Sequence, residues 1–184
     1  MAFDAFMYIT GGAYPVQGET LDTDFKKQQA FEIKSFKIEV KNPTSMGSAG
    51  GGAGTGKCQL EPFEVAKVTD NCSPSLFKCC ATGAHYPTAV ISVRKAGGAA
   101  ASGTGSKTGI VYLTYTFNCV FVNSVSWSGS SGDDLPEETV QFAYGSVTIQ
   151  YTPQTAGGGG APKKNIQTWN QVTNNDNATV PDPS

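Results

Sequence analysis

The stretch GGGAGTGKC, residues 50–58, comes close to the phosphate-binding loop of nucleotide hydrolases. That loop needs G-x-x-x-x-G-K followed by Ser or Thr, because the hydroxyl binds Mg²⁺, and it joins a buried strand to a helix. Gly51, Gly56 and Lys57 fit the pattern, but Cys58 replaces the hydroxyl. The preceding NPTSMGSAG cannot form a buried strand, and the following QLEPFEVAKV alternates like a strand and not a helix. We therefore interpret this stretch as a flexible or assembly-forming loop between two strands, and we expect no nucleotide cofactor.

A hydrolytic or zinc site is the next possibility to weigh. His85 is the single histidine, and no G-x-S-x-G elbow exists, so a nucleophilic triad is disfavoured and His85 is predicted to lie at the surface or in a turn. A zinc site made of Cys72, Cys79, Cys80 and His85 would lack C-x-x-C spacing, and adjacent cysteines on a helix point apart. We expect these thiols to fill the core and the chain to hold no metal.

Four carboxylates lie close together in SGDDLPEETV: Asp133, Asp134, Glu137 and Glu138. The glycine and proline around them predict an exposed turn, where acidic side chains are solvated or contact a neighbouring molecule. A glycosidase pair would need a cleft that this pattern does not indicate. With no catalytic residue, cofactor or metal site predicted, the chain is expected not to be an enzyme.

Composition favours one all-β domain. The 184 residues suffice for a single core, only 15% are charged, and 22 glycines and many aromatic residues suit strands joined by turns. The net charge of −2 predicts no binding to nucleic acid or anionic membrane.

The opening MAFDAFMYITGG contains Asp4 and no basic region, which predicts a first strand and no signal peptide. No apolar run is long enough to insert into a membrane. Five cysteines, an odd number, fit mostly reduced thiols in a cytoplasm.

Alternation of apolar residues predicts three main strands. In FEIKSFKIEV the phase slips near Ser35, which predicts a β-bulge. The segment 111–127 alternates for longer than a usual strand, and a slip at Gly145 in VQFAYGSVTIQY predicts a second bulge. One face of 111–127 is expected to be shared by Val111, Leu113, Tyr115, Phe117, Cys119, Phe121, Val125 and Trp127, and the other by Tyr112, Thr114, Thr116 and Asn118.

Only SPSLFKCCATG is typical of a helix, predicted over about residues 74–82. Ser73 can cap its first turn, Pro74 suits its first position, and Gly83 can end it in a left-handed conformation. The Gly/Ser/Ala-rich stretches 47–56, 97–109 and 157–161 are interpreted as insertions between strands. The tail NNDNATVPDPS is expected to be mobile unless a neighbour holds it.

Taken in order, these segments resemble the haemolysin-coregulated protein (Hcp) family of bacterial type VI secretion. The resemblance covers MAFDAFMYITG, GETLD, FEIKSFKIEVKNPTSMG, GTGK, FEVAKVTDNCSPSLFKCCATG, AVISVRK, VYLTYTFNCVFVNSVSWSG, EETVQFAYGSVTIQYTPQ and TWNQVTNN. It implies one tube domain over residues 1–184, a β-barrel of two packed antiparallel sheets with one short helix, and a looser C-terminal segment at 157–184. The Gly/Ala insertion AGGAAASGTGSKTG departs from the family pattern.

By the same resemblance, the chain would form hexameric rings that stack into the hollow inner tube of the apparatus and carry effectors. The loop 42–57 would reach the next ring, through Asn42, Pro43, Thr44, Ser45, Met46, Gly47, Gly56 and Lys57. The residues singled out on the helix are Ser73, Pro74, Leu76 and Phe77. The implied partners are further copies of the chain, a spike protein, the contractile sheath and small effector proteins. The implied route is synthesis in the bacterial cytoplasm followed by export through the apparatus.

Three other functions stay open on the sequence alone. A tube subunit of a phage-like or free extracellular particle would share the fold and the assembly. A monomeric β-sandwich binding module would use the aromatic strands to hold a ligand, although their alternation is more simply explained by a core. A hydrolase of unknown type is the third, and the lone histidine argues against it.

Overall fold

The computed structural model describes residues 3–45, 54–95, 109–132, 134–153 and 164–181. Strands dominate these ranges, with one α-helix and one short 3₁₀ turn, which confirms the predicted mainly β fold with a single helix. In chain order the elements are β1 (Phe3–Thr10), the 3₁₀ turn (Lys26–Gln28), β2 (Phe31–Glu32), β3 (Ser35–Lys37), β4 (Val40–Lys41), β5 (Thr44–Ser45), β6 (Gly54–Thr55), β7 (Gln59–Leu60), β8 (Phe63–Val68), α1 (Ser73–Thr82), β9 (His85–Lys95), β10 (Val111–Ser128), β11 (Glu137–Tyr151) and β12 (Asn165–Asn170).

The main sheet is antiparallel and follows the order β2-β1-β9-β10-β11-β8-β3, while β12 pairs with the second half of β11. Residues 31–37 join the two ends of this path. The Ile33 amide donates to the Ala5 carbonyl at 3.0 Å, and the next amide, of Lys34, donates to the Ala66 carbonyl at 2.7 Å. One segment thus bonds to β1 and then to β8, and it closes the curled sheet into a barrel.

The bulge predicted near Ser35 is wrong, because the strand changes its pairing partner at this point. The apolar phase changes there because β2 pairs with β1 whereas β3 pairs with β8, and no extra residue is inserted into a continuous ladder. The same switch makes the main sheet one continuous structure, where the resemblance implied two packed sheets.

The predicted phase slip at Gly145 is real, but it is not a bulge against β10. Asn118 pairs with Ser146 and Val120 pairs with Tyr144, so the register is unchanged across the slip. The residue between Asn118 and Val120 is Cys119, whose φ of 53° lies in the left-handed region. A left-handed residue turns the following side chains to the other face without changing the count of paired residues.

The predicted face of β10 is therefore wrong beyond Phe117. Val120 and Val122 are buried, while Phe121, which the alternation placed in the core, is only half-buried. The true bulge in this ladder lies between Val122 and Ser124, where the register shifts.

Stacked aromatic rings fill the centre of the barrel. Phe63 stacks on Phe117 with 4.0 Å between ring centroids and on Phe142 with 4.8 Å. Helix α1 packs against β10. Among the described residues, no helix has the length and apolar character needed to span a membrane.

Candidate assembly surfaces

A two-stranded ribbon leaves the barrel between β3 and β8. We define the ribbon as residues 39–45 and 54–61. At its base β4 pairs with β7, and further out β5 pairs with β6. Backbone hydrogen bonds extend this ladder, from the Glu61 amide to the Glu39 carbonyl at 3.1 Å and from the Gly56 amide to the Pro43 carbonyl at 2.9 Å. Within the described ranges no third strand pairs with the ribbon. At its base the Leu60 amide donates to Gln171 Oε1 at 3.4 Å, so the edges available for other contacts lie further out.

The residues predicted to form the assembly loop belong to this ribbon. Those with described side chains are exposed, apart from Gly56, which is half-buried. Met46 and Gly47 lie outside the described residues, as do most of the stretches 47–56, 97–109 and 157–161. The described members are Asn42, Pro43, Thr44, Gly56 and Lys57, together with the backbone of Ser45.

Gly56 is required by the close approach of the two ribbon chains. A Cβ atom at this position would lie 2.3 Å from the Pro43 carbonyl oxygen, closer than real Cβ atoms come to any neighbour. The residues around it also exclude a phosphate-binding loop, because Gly54–Thr55 and Gln59–Leu60 are strands on either side of Lys57 and no helix follows. The glycine thus serves backbone contact between strands.

The ribbon base carries an exposed charge cluster centred on Lys41. Its Nζ lies 3.1 Å from a Glu39 carboxylate oxygen and 3.2 Å from one of Glu61. The hydrogen bond from Lys41 lowers the pKa of Glu39, and the bond to Glu39 raises the pKa of Lys41. Because all three side chains face water, such pairs contribute little to stability and leave the charges available to a partner.

Helix α1 begins and ends close to its predicted bounds. Pro74 lies in its first turn, and Gly83 follows it with φ 68° and donates its amide to the Cys80 carbonyl, as predicted for a left-handed cap. The predicted cap at Ser73 is wrong. Ser73 is the first helical residue, the N-cap position is Cys72, and no side chain caps it.

The Ser73 hydroxyl instead belongs to a buried polar network. It accepts from the Asp70 amide at 3.1 Å and from Lys67 Nζ at 3.3 Å. Lys67 Nζ also lies 2.8 Å from both Asp70 Oδ1 and Glu138 Oε1, and the Lys67 and Glu138 side chains are both 0% exposed. The ammonium group further lies 5.3 Å from the centre of the Phe31 ring.

Electrostatics hold this network together. Burial alone would lower the pKa of Lys67, but its carboxylate partners Asp70 and Glu138 outweigh burial, and the pKa lies above its ordinary value. Burial raises the pKa of the neighbouring Cys72 thiol, which stays protonated beside Asp70. The ammonium is thus the cation that compensates two carboxylates in the barrel wall.

The burial of Glu138 contradicts the prediction that all four clustered acids lie in an exposed turn. Asp134 and Glu137 are exposed, but Glu138 is buried, and Asp133 lies outside the described residues. The sequence contained a signal of this burial, because Glu138 shares the alternation phase of Val140 and Phe142. Lys67 likewise continues the phase of Phe63 and Val65 on β8. A charge at an apolar phase on each of two strands indicates a buried pair.

Two exposed aromatic rings lie next to this network. Of the predicted helix residues, Leu76 is buried in the core and Phe77 points outward, 52% exposed. The Phe77 ring centre lies 6.1 Å from that of Trp127, which is 47% exposed. Trp127 Nε1 donates to Glu138 Oε2 at 2.8 Å, so the buried ion pair fixes the indole ring. We call Phe77 and Trp127 the aromatic patch.

A second ion cluster, which the sequence did not predict, surrounds Arg94 on β9. Its guanidinium lies 2.5 Å from Asp22 and 3.2 Å from Asp4, with Asp24 at 3.5 Å. The Phe6 ring lies under it at 5.0 Å. The hydrogen bond from Arg94 is the main reason that the pKa of Asp22 is lowered. This cluster fastens the segment before the 3₁₀ turn to the barrel wall.

The C-terminal tail is held by its own barrel as far as Pro181, where the sequence predicted mobility unless a neighbour held it. Buried Asn170 donates to the carbonyls of Asn177 and Thr179, both at 2.9 Å. The Ser146 hydroxyl donates to the Ala178 carbonyl at 2.6 Å. A Cβ on Gly145 would lie 2.8 Å from Val180, so this glycine makes room for the tail.

The tail also borders the site where His85 and Cys119 lie. Both line a pocket of about 400 Å³ together with Pro87 and Val180. His85 begins β9, and its ring centre lies 5.4 Å from that of Phe121. Cys72 and Cys79 are buried, as predicted for core thiols. In the part of the chain that the structure describes, no group of three or more His, Cys, Asp or Glu side chains is arranged to hold a metal ion.

Together, the closed β-barrel, its single helix and its projecting ribbon define a small β-protein that presents contact surfaces on its outside. The family model described as "Type VI secretion system effector, Hcp" matches residues 6–151. The chain therefore belongs to the Hcp family of type VI secretion proteins, which confirms the resemblance seen in the sequence.

Individual relatives agree with this assignment. Protein hcp1 of Pseudomonas aeruginosa is 36% identical over 110 residues, which cover 59% of this chain and 63% of that protein. The match thus spans less than two thirds of that relative. A solved type six secretion system protein superimposes with a TM-score of 0.82 at 29% identity, covering 96% of this chain and 100% of its own. Hcp1 from Salmonella typhimurium gives a TM-score of 0.71, also at 29% identity, over 96% and 99% of the two chains.

Proposed function

We propose that this chain is the structural subunit of a type VI secretion tube. Residues 1–184 act as one tube-forming unit, six copies close into a ring, and rings stack into a hollow tube that carries effectors. The observation that carries the proposal is the ribbon, which projects from a closed barrel with exposed residues and unpaired outer edges. Family membership supports the same function.

The physical logic is that of heterologous assembly. A ring closes when one surface of a subunit fits a different surface of the next subunit, and the same rule applied along the axis stacks rings without limit. A barrel with few open edges does not aggregate through its sheet, so the projecting ribbon can select the axial contact. Movement of the finished tube needs no catalytic group in the subunit.

The partners follow from this role. The chain would contact further copies of itself, a spike protein at the tip, the surrounding sheath, and small effectors in the lumen. Export by the type VI apparatus after synthesis in the bacterial cytoplasm is the route that membership of a family secreted by this system supports. A tube of a phage-like or free extracellular particle would use the same contacts.

The test is the mass and shape of the purified chain. We expect a ring near 115 kDa, six times the 19.2 kDa subunit, by light scattering, and six-fold rings or stacked tubes by negative-stain electron microscopy. A uniform monomer over a wide concentration range would reject the tube and favour a monomeric binding module that uses the pocket beside the tail.

A redesigned ribbon separates stacking from ring closure. Ser45 pairs with Gly54, so residues 46–53 can be replaced by Asn-Gly, which forms a two-residue hairpin turn between paired positions. We expect this variant to form rings of unchanged mass that no longer stack. Tubes as long as those of the wild type would show that residues 46–53 are not needed for the axial contact.

A further inference from the structure

The buried network around Lys67 contains the groups needed to form an amide bond. Lys67 on β8 and Glu138 on β11 pair directly across the sheet, and both side chains are 0% exposed. Lys67 Nζ lies 2.8 Å from Glu138 Oε1 and also 2.8 Å from Asp70 Oδ1. A nucleophilic amine, a carboxyl group that it can attack and a second carboxylate therefore meet inside the barrel wall.

The strand pairing holds the reacting atoms close together. The carboxyl carbon of Glu138 is one bond beyond the oxygen that Lys67 contacts. Groups held about 3–3.5 Å apart in a fixed orientation react as if they were present at very high concentration. The Phe31 ring, with its centre 5.3 Å from Nζ, makes one side of this site apolar.

Asp70 is placed to carry protons. Its Oδ1 contacts the Lys67 amine and accepts the Cys72 amide at 2.9 Å, which fixes the carboxylate beside the start of α1. A carboxylate in contact with an attacking nitrogen can accept its proton as a general base. The Asp70 side chain is 17% exposed, whereas Lys67 and Glu138 are fully buried, so a released water molecule can leave on the Asp70 side.

Trp127 of the aromatic patch supplies a donor for the developing negative charge. Its Nε1 donates at 2.8 Å to Glu138 Oε2, the oxygen other than the one that Lys67 contacts. Attack on the carboxyl carbon places negative charge on this oxygen, and a preorganised donor stabilises that charge in a site of low dielectric. The same hydrogen bond retains Oε2 as the carbonyl oxygen of the product, so Oε1 is the oxygen that leaves.

We propose that Lys67 and Glu138 condense after folding into an amide bond that links β8 to β11. The ammonium group gives one proton to Glu138 Oε1, the amine attacks the Glu138 carboxyl carbon, and Asp70 accepts a second proton from the nitrogen. Asp70 returns this proton to Oε1, the bond between carbon and Oε1 breaks, and water leaves. One N–C bond replaces one C–O bond without any oxidation or reduction, so the reaction requires no second reactant.

The buried charges favour this reaction. An ion pair inside a protein has lost the hydration of both ions, and this loss can exceed their mutual attraction. The amide is uncharged, and folding has already brought the two groups together. The carboxylates raise the pKa of Lys67, so the neutral amine is the minor form and we expect the bond to form slowly. The link goes beyond the proposed function and does not depend on assembly.

The first test is the mass of the purified full chain. We expect a species lighter than the sequence mass by one molecule of water, with a share that rises on prolonged incubation. Trypsin should not cut after Lys67 in this species, so peptide 58–78 should be joined to peptide 108–163, which contains Glu138. A link across 71 positions should also make the denatured chain migrate faster in a gel.

The chain contains a matched ion pair in water. Lys34 Nζ contacts Glu137, the neighbour of Glu138, but these side chains are 51% and 54% exposed. Because both groups are hydrated, we expect trypsin to cut after Lys34 and no peptide to be joined there. An amide between Lys34 and Glu137 in equal yield, or a link from Lys67 to Asp70, would overturn the assignment to the buried pair.

Two variants separate the roles of the residues. Lys67→Arg keeps a cation beside both carboxylates, but its guanidinium stays protonated and is not a nucleophile, so no water should be lost. Asp70→Asn removes the base and should lower the linked fraction at a given time by at least about tenfold. Circular dichroism shows whether each variant folds, and the peptide map of the wild type decides if one does not. A wild type that keeps its full sequence mass and is cut normally after Lys67 would overturn the amide bond, whereas only the absence of rings would reject the tube.

Discussion

Two lysines in this molecule each lie between two carboxylates, and their surroundings make them different. Lys67 contacts Asp70 and Glu138 inside the barrel wall with no exposure, whereas Lys41 contacts Glu39 and Glu61 on the ribbon in water. The distances are alike, between 2.8 and 3.2 Å. Burial decides what the pairs do, because a buried charge without its partner is costly while an exposed one is hydrated. The inner cluster holds the barrel together, and the outer one is available for binding.

The largest effect should come from breaking the inner cluster. Lys67→Met leaves Glu138 buried without its cation, and we expect a loss of about 3–5 kcal/mol in the free energy of unfolding. Urea denaturation followed by circular dichroism measures it. The double variant Lys67→Met/Glu138→Leu removes both charges and should recover more than half of the loss. A double variant no more stable than the single one would show that burial of the charge is not the cause.

The next effect should come from a buried polar side chain without charge. Asn170→Ala removes the two donors that hold the tail and the acceptor for the Val172 and Thr173 amides, and we expect a loss of about 2 kcal/mol. Thermal unfolding gives the stability, and limited proteolysis should show earlier cleavage of the tail. Asn175→Ala, in the same turn but exposed, is the matched control, with an expected change of about 0.5 kcal/mol. Equal effects of the two variants would contradict this account.

A smaller, pH-dependent effect is expected at the Arg94 cluster, which is intermediate in burial. Asp22→Asn should cost about 1–2 kcal/mol at pH 7, because it removes a charge-assisted hydrogen bond. The bond lowers the folded pKa of Asp22 below its ordinary value of 3.8, so its stabilisation is complete above that pH and is lost as the pH falls through the folded pKa.

The difference in melting temperature between wild type and Asp22→Asn should therefore be constant from pH 7 to about pH 4 and shrink below it. Asp24→Asn, whose carboxylate is 48% exposed, should show a smaller difference throughout. A gap that widens in acid would mean that Asp22 does not act through its charge.

The smallest effect should come from the ribbon cluster. Lys41→Met should leave the urea midpoint unchanged within error, since both glutamates stay hydrated when the lysine is lost. The same variant should weaken ring stacking if the ribbon acts as proposed. A destabilisation comparable to that of Lys67→Met would remove the distinction between the two clusters.

Local signals in the sequence predicted the helix well. Pro74 and Gly83 fix its ends through backbone conformations that these residue types favour, so the prediction needs no distant contact. The predicted cap at Ser73 is wrong because its hydroxyl instead accepts hydrogen bonds from the Asp70 amide and from buried Lys67, six residues away. Competition from a tertiary contact is invisible to a local rule.

Phase signals located irregularities but not their nature. The slip near Ser35 and the slip at Gly145 both occur where the alternation predicted them. The first is a change of pairing partner, and the second accompanies the left-handed conformation of Cys119. Both depend on contacts with other strands, which the local pattern does not contain. For the same reason Val120 and Val122 are the buried residues in this part of β10, although strict alternation predicted that Phe121 would be buried.

The sequence by itself determined the β class, the single helix and the family, because composition, alternation and ordered motifs are local properties. Only the tertiary structure decided that residues 31–37 close the barrel and that Glu138 and not its neighbours is buried. It likewise decided that the tail folds back onto Gly145. Each of these depends on contacts between residues far apart in the chain, as Lys67 and Glu138 are by 71 positions, and local patterns do not encode which distant partner a residue meets.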